Sequence, residues 1–110
     1  MKKDNLYLRH ISEACENIDT FMSGIKKEAF MKDKLVQSAV IRQLEIIGEA
    51  VKNLSANLKK THNNIPWKDM AGLRDKLIHG YFGVDISLVW TICTKDIPEL
   101  KKKLAAIPFV

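Results

Sequence analysis

From Lys32 to Leu54 the apolar residues Leu35, Val36, Ala39, Val40, Leu44, Ile47, Ala50, Val51 and Leu54 recur at helical steps and cover a wide stripe. So broad a stripe exceeds what one neighbouring helix covers. This helix is therefore expected at the centre of the fold, packed against helices on two sides or against another subunit.

The flanking segments read the same way. Leu6, Ile11, Cys15, Ile18, Met22 and Ile25 recur at steps of three to five, with Asp4 as the expected N-cap and Gly24 as the end. Ser55 to Asn64 is polar and reads as one or two irregular helical turns and a loop. Ile65-Pro66-Trp67 opens a third helix, because proline is pre-organised for the first helical position, and Gly80 closes it with a left-handed cap. Asp85 is the expected N-cap of a last helix carrying Ile86, Val89, Trp90, Cys93, Ile97, Leu100 and Leu104, which Pro98 should kink near Lys95. The five glycines and three prolines include no Asn-Gly or Asp-Gly pair, so strands have little turn punctuation. The expected architecture is all-α: one domain over residues 1–110, a bundle of four main helices with the last one kinked.

A chain of 110 residues can bury one core. With 46% apolar and 28% charged residues it is no disordered segment. The net charge of +5 favours a polyanionic partner, since contact with phosphates releases counterions, and is equally compatible with a solvated surface. Its lysines come in small groups, Lys26-Lys27, Lys59-Lys60 and Lys101-Lys102-Lys103, without aromatic interleaving. Cys15 and Cys93 are far apart in apolar helical patterns and read as reduced core residues. The start, MKKDNLYLRH, has no apolar signal region, and no run approaches membrane-spanning length, so a cytoplasmic protein with no membrane association is expected.

The side chains needed for chemistry gather in RDKLIHGYFG, Arg74 to Gly83. Asp75 and His79 are an i, i+4 pair, so on one helix the carboxylate can orient the imidazole. Arg74 is turned about 140° from His79 along an ideal helix. A left-handed turn at Gly80 would fold Tyr81 back beside the last turn. The group offers a proton carrier, a phosphate-binding fork and a hydroxyl. The same residues also fit a solvated ion pair and a histidine favoured by the helix dipole. His10 and His62 lack partners at metal-ligand spacing, and there is no glycine-rich phosphate loop, so neither metal nor cofactor is expected.

Arg74-Asp75-Lys76-Leu77-Ile78-His79-Gly80-Tyr81 matches the R-x4-H-x-Y motif of the HEPN superfamily and resembles its HepT-like branch of toxin–antitoxin ribonucleases. Residues 41–50 (IRQLEIIGEA), Ile65-Pro66-Trp67, and Val84-Asp85 followed by Val89-Trp90 resemble that family in the same order. The resemblance implies a dimerising helical bundle and a metal-independent ribonuclease toxin of the type VII kind, cutting RNA such as tRNA or mRNA. It implies Arg74 and His79 as the catalytic pair. The implied partner is a small MntA-like nucleotidyltransferase antitoxin that adenylylates Tyr81. Asp75 is expected to support His79, and Glu49 to support Arg74 by an ion pair.

RNA cleavage by the 2′-hydroxyl needs a base, an acid and positive charge on the phosphorane. One chain supplies one suitable histidine, so a homodimer or higher even oligomer with two motifs in one cleft would answer a chemical need. Two other classes remain open: a non-catalytic helical partner of a nucleotidyltransferase, and a purely structural dimerisation domain.

Overall fold

The two long apolar stripes become α1 (Lys2–Met22) and α3 (Lys34–Lys52) in a computed structural model that describes residues 2–77 and 83–108. Between them, Gly24 adopts φ +73, a left-handed turn, and the single-turn α2 (Lys27–Phe30) follows. Asp33 caps α3 by accepting from the Val36 amide at 3.1 Å. Asp4 meets Ser55 near one end of the pair and Asn17 meets Gln43 further along, so α1 and α3 run antiparallel. Leu8, Ile11, Cys15 and Ile18 of α1 interlock with Val40, Leu44, Ile47 and Val51 of α3, all essentially inaccessible. Each leucine or isoleucine so buried contributes about 1.5–3 kcal/mol. This pair therefore organises the fold.

Two large residues of the expected stripes are exposed. Leu6 is 48% exposed and Leu35 is 81% exposed. Each lies five positions before a core residue, Ile11 or Val40, and five steps of 100° carry a side chain about 140° round the helix. Leu8 takes the place expected for Leu6.

Asp4 is not the cap of its own helix. It lies within α1, 5% exposed, and its two carboxylate oxygens accept from the Ser55 amide at 2.8 Å and the Ser55 hydroxyl at 2.6 Å. Those bonds, the hydroxyl's foremost, hold its carboxyl below the ordinary carboxylate value. Ser55 in turn accepts from the Leu58 amide at 3.1 Å as N-cap of α4 (Ala56–Thr61). One buried carboxylate thus ties the start of α1 to the start of α4.

The third helix does not run unbroken toward Gly80. It is α5 (Trp67–Ala71) and α6 (Leu73–Leu77), parted at Gly72, where φ −92 and ψ 9 depart from helical values and the residue is a poor helix former. Pro66 serves as N-cap rather than first helical residue, and the Trp67 indole N–H donates to the His62 carbonyl at 2.9 Å. Gly80 lies outside the described residues.

Asp85 caps α7 (Ile86–Thr91) as expected, accepting from the Leu88 amide at 3.0 Å. The break ahead of Pro98 takes the form of a π-helical turn, Ile92–Asp96, before α8 (Ile97–Ala105). Pro98 has no N–H for the Thr94 carbonyl, and the Ile97 amide reaches five residues back to Ile92, which widens the turn. Lys101 of α8 pairs with Glu16, at 2.9 Å, and Asp19 of α1, and Lys103 donates to the Asn64 carbonyl at 3.0 Å. Two lysines of the basic run thus hold the fold together. Phe30 packs on Trp90 with ring centroids 5.4 Å apart, sealing α2 against α7.

Among the described residues every regular element is helical, and the four main helices of the sequence reading correspond to α1, α3, α5–α6 and α7–α8. Cys15 and Cys93 are free and buried, as expected. No described helix is long and apolar enough to cross a membrane.

Candidate functional site

On α3, Arg42, Glu45, Glu49 and Lys52 recur at three- and four-residue steps, a charged stripe on a different face from the core stripe. α1 passes on one side of it and α5–α6 on the other. The result is an open cleft of about 380 Å³ lined by Tyr7 and His10 from α1, by that charged stripe, and by Ala71 and Arg74.

Gly48 sets how closely the far wall approaches. A Cβ on Gly48 would stand 3.2 Å from the Met70 carbonyl oxygen, tighter than an ordinary contact, so α5 lies almost on the α3 backbone. Leu73 and Leu77 are buried, which turns Arg74 outward with its side chain 71% exposed.

Arg74 Nε stands 3.6 Å from Glu45 Oε2, and Arg42 Nη1 stands 3.9 Å from Glu45 Oε1. Both are ion pairs too long to be hydrogen bonds, so one carboxylate aligns two guanidinium groups without occupying their donors. Those N–H groups remain available to a phosphate. The sequence reading gave the support of Arg74 to Glu49. The structure gives that contact to Glu45, one turn earlier, while Glu49 lines the same cleft.

Asp75 is exposed on α6. His79 and Tyr81, with which Asp75 and Arg74 were grouped, lie outside the described residues. The ends of their segment are held together, because the Asp85 amide donates to the Leu77 carbonyl at 2.9 Å. Lys76 lines a different groove of about 330 Å³, between α5–α6 and the π turn and α8, so neighbouring charges of the motif serve different surfaces.

Sequence reasoning missed Tyr7, His10, Arg42 and Glu45. Tyr7 and His10 meet edge to face with centroids 5.8 Å apart. Neither lies near the motif in sequence, and only the antiparallel pairing of α1 with α3 carries them into its cleft. Among the described residues no three His, Cys, Asp or Glu side chains are grouped as metal ligands would be.

The model of the family described as ribonuclease HepT-like matches residues 11–107, which include all of Arg74 to Tyr81. A relative named "Probable ribonuclease HepT" from Thermococcus cleftensis is 54% identical over 88% of each chain. A candidate RNase of Caldanaerobacter subterraneus subsp. tengcongensis is 48% identical over 97% of this chain and 96% of its own. A Methanocaldococcus jannaschii protein named "Gamma-glutamylcyclotransferase and putative RNase" is 46% identical over 97% of this chain, which spans only 49% of that relative. No solved structure gives a significant match. A family match across nearly the whole chain, over an all-helical fold with the motif arginine at the edge of a cleft, leads to one conclusion: the chain belongs to the HepT-like ribonuclease family.

Proposed function

We propose that this HepT-like ribonuclease is a metal-independent toxin that cuts RNA, such as tRNA or mRNA, with Arg74 and His79. In this reading a base removes the 2′-hydroxyl proton and the 2′-oxygen attacks the adjacent phosphorus. The 5′-oxygen leaves as it takes a proton from an acid, and a 2′,3′-cyclic phosphate remains. His79 moves the proton and Arg74 balances the charge that builds on the phosphorane. One chain brings one His79 and one Arg74. A homodimer that set two motifs in one cleft would supply both an acid and a base from the same residue type.

Regulation follows from Tyr81 in the same reading. An antitoxin nucleotidyltransferase would transfer AMP from ATP to its hydroxyl, the phenol oxygen displacing pyrophosphate from the α-phosphorus and giving up its proton, and the added phosphate would pair with Arg74 and compete with the RNA phosphate. Asp75 is assigned the support of His79, and Glu49 a place on the cleft wall.

The observation that carries this reading is the family match over the whole R-x4-H-x-Y segment, with Arg74 exposed at a cleft whose α3 wall bears further cations. The test is cleavage of purified RNA in excess EDTA. The parent should cleave, and His79→Ala or Arg74→Ala should lose about 100-fold or more of the rate. A His79→Ala protein that cleaves like the parent would overturn the mechanism. Co-expression with a nucleotidyltransferase antitoxin should add the mass of AMP to a peptide containing Tyr81.

A further inference from the structure

Tyr7 and His10 are one helical turn apart on α1, Tyr7 half-buried and His10 exposed, and they line the same cleft as Arg42, Lys52 and Arg74. Their rings stand 88° apart, edge to face with 5.8 Å between centroids, and both residues line the cleft, so a base that lies flat on one ring meets the other at its side. The cleft volume of about 380 Å³ falls in the range that takes one nucleotide-sized ligand. An aromatic platform on one wall and cationic side chains on the other is how single-stranded nucleic acid is held: bases stack on the rings, and phosphates meet the cations. The family match begins at Ile11, so Tyr7 and His10 lie outside the stretch it covers.

We propose that this cleft is a nucleotide subsite for single-stranded RNA beside the scissile phosphate, with a base stacked on the Tyr7 ring, His10 at its side, and phosphates along the chain met in turn by Lys52 and Arg42. Arg74 is then left for the phosphate that is cut. The proposal rests on the ribonuclease reading above and adds to it which part of the molecule grips the substrate next to the cut. Glu45 and Glu49 on the same wall keep the net charge of the cleft low. A free mononucleotide with a doubly charged phosphate therefore gains less there than an RNA chain, whose phosphates carry one charge each.

The test is fluorescence anisotropy with labelled 2′-O-methyl RNA oligomers, which bind but lack the attacking hydroxyl. Tyr7→Leu should weaken binding about 5- to 100-fold, the range expected for one lost base stack, while Tyr7→Phe should stay within about twofold of the parent. Arg42→Ala should lower the affinity and flatten its salt dependence. In oligomers with an abasic residue stepped along the chain, one position should abolish the difference between Tyr7→Leu and the parent. The proposal is overturned if Tyr7→Leu, melting within a few degrees of the parent, binds as tightly. It is also overturned if the penalty is the same at every abasic position, or if AMP or GMP binds as well as the oligomer. If the parent cleaves RNA but binding ignores Tyr7 and Arg42, the subsite alone fails. If the parent neither binds nor cleaves RNA, the ribonuclease reading fails and the subsite with it.

Discussion

Arg74 on α6 and Glu45 on α3 meet across the cleft, Nε to Oε2 at 3.6 Å, although 29 positions separate them in the chain (74 − 45). The pair is largely exposed on the arginine side, so it contributes little to stability, about 0–1 kcal/mol. Its effect is to aim the guanidinium. Glu45→Ala should leave the melting temperature nearly unchanged and lower kcat/KM for RNA by about tenfold, as expected when a charged group loses its alignment. Glu45→Gln should recover part of that loss. Equal activity in Glu45→Ala and parent, measured by initial rates at several RNA concentrations, would remove Glu45 from the site.

Arg74→Lys separates charge from geometry. Lysine keeps the positive charge but lacks the planar fork that meets two phosphate oxygens at once. The expected result is a drop in kcat of about tenfold or more with RNA binding reduced less, read from single-turnover cleavage beside anisotropy.

Asp4 gives a prediction in acid. Its carboxyl titrates below the ordinary value of 3.8 in the folded chain, because Ser55 donates twice to the charged form. A depressed carboxylate stabilises the fold above the unfolded value, and that contribution is lost as pH falls through the folded value. Urea midpoints should therefore fall below about pH 4 in the parent and less steeply in Asp4→Asn. At pH 7 Asp4→Ala should cost about 1.5–3 kcal/mol, the range for a hydrogen bond to a charged group.

Gly48→Ala tests the α3–α5 contact. The methyl group gains about 1 kcal/mol of helix propensity but meets the Met70 carbonyl at 3.2 Å, and overpacking costs about 1–3 kcal/mol. The obstacle is backbone, which yields less readily than a side chain, so net destabilisation by about 1 kcal/mol is expected. The displaced α5–α6 wall should lower RNA cleavage as well. A variant more stable than the parent, by calorimetry, would mean that α5 moves freely.

The two thiols give an alkaline counterpart. Burial pushes both Cys15 and Cys93 up from 9.0 to about 12. A raised thiol stabilises the fold below the unfolded value, and that contribution fades as pH rises from about 9 toward 12, so melting temperature should decline over that window. Iodoacetamide at pH 8 should label the native protein far more slowly than the protein in denaturant, with the label located by peptide mass.

The helical class, the central helix and its core residues Val40, Leu44, Ile47 and Val51 were legible in the sequence, because a period of 3.6 is a local property and burial merely acts on it. The Asp85 cap was legible for the same reason: the side chain bonds an amide three residues away. Leu6 was misread because a step of five was accepted into a stripe that tolerates only three and four, and Leu35 because a stripe wide enough to hold the adjacent pair Leu35 and Val36 runs past the buried face. The bond from Asp4 to Ser55 spans 51 positions, and no local pattern announces it.

The candidate site divides along the same line. Arg74 came from the motif, and its outward direction follows from Leu73 and Leu77 being buried on α6. The company it keeps was decided by tertiary structure. The antiparallel α1–α3 pair brings Tyr7 and His10 to the cleft, Gly48 lets α5 approach, and the register of α6 against α3 selects Glu45 over Glu49. Sequence alone determined the helices and the motif, since both depend on neighbours along the chain. The walls of the cleft depend on helix crossings, whose distances are set by side chains far apart in sequence, and only the folded chain determines them.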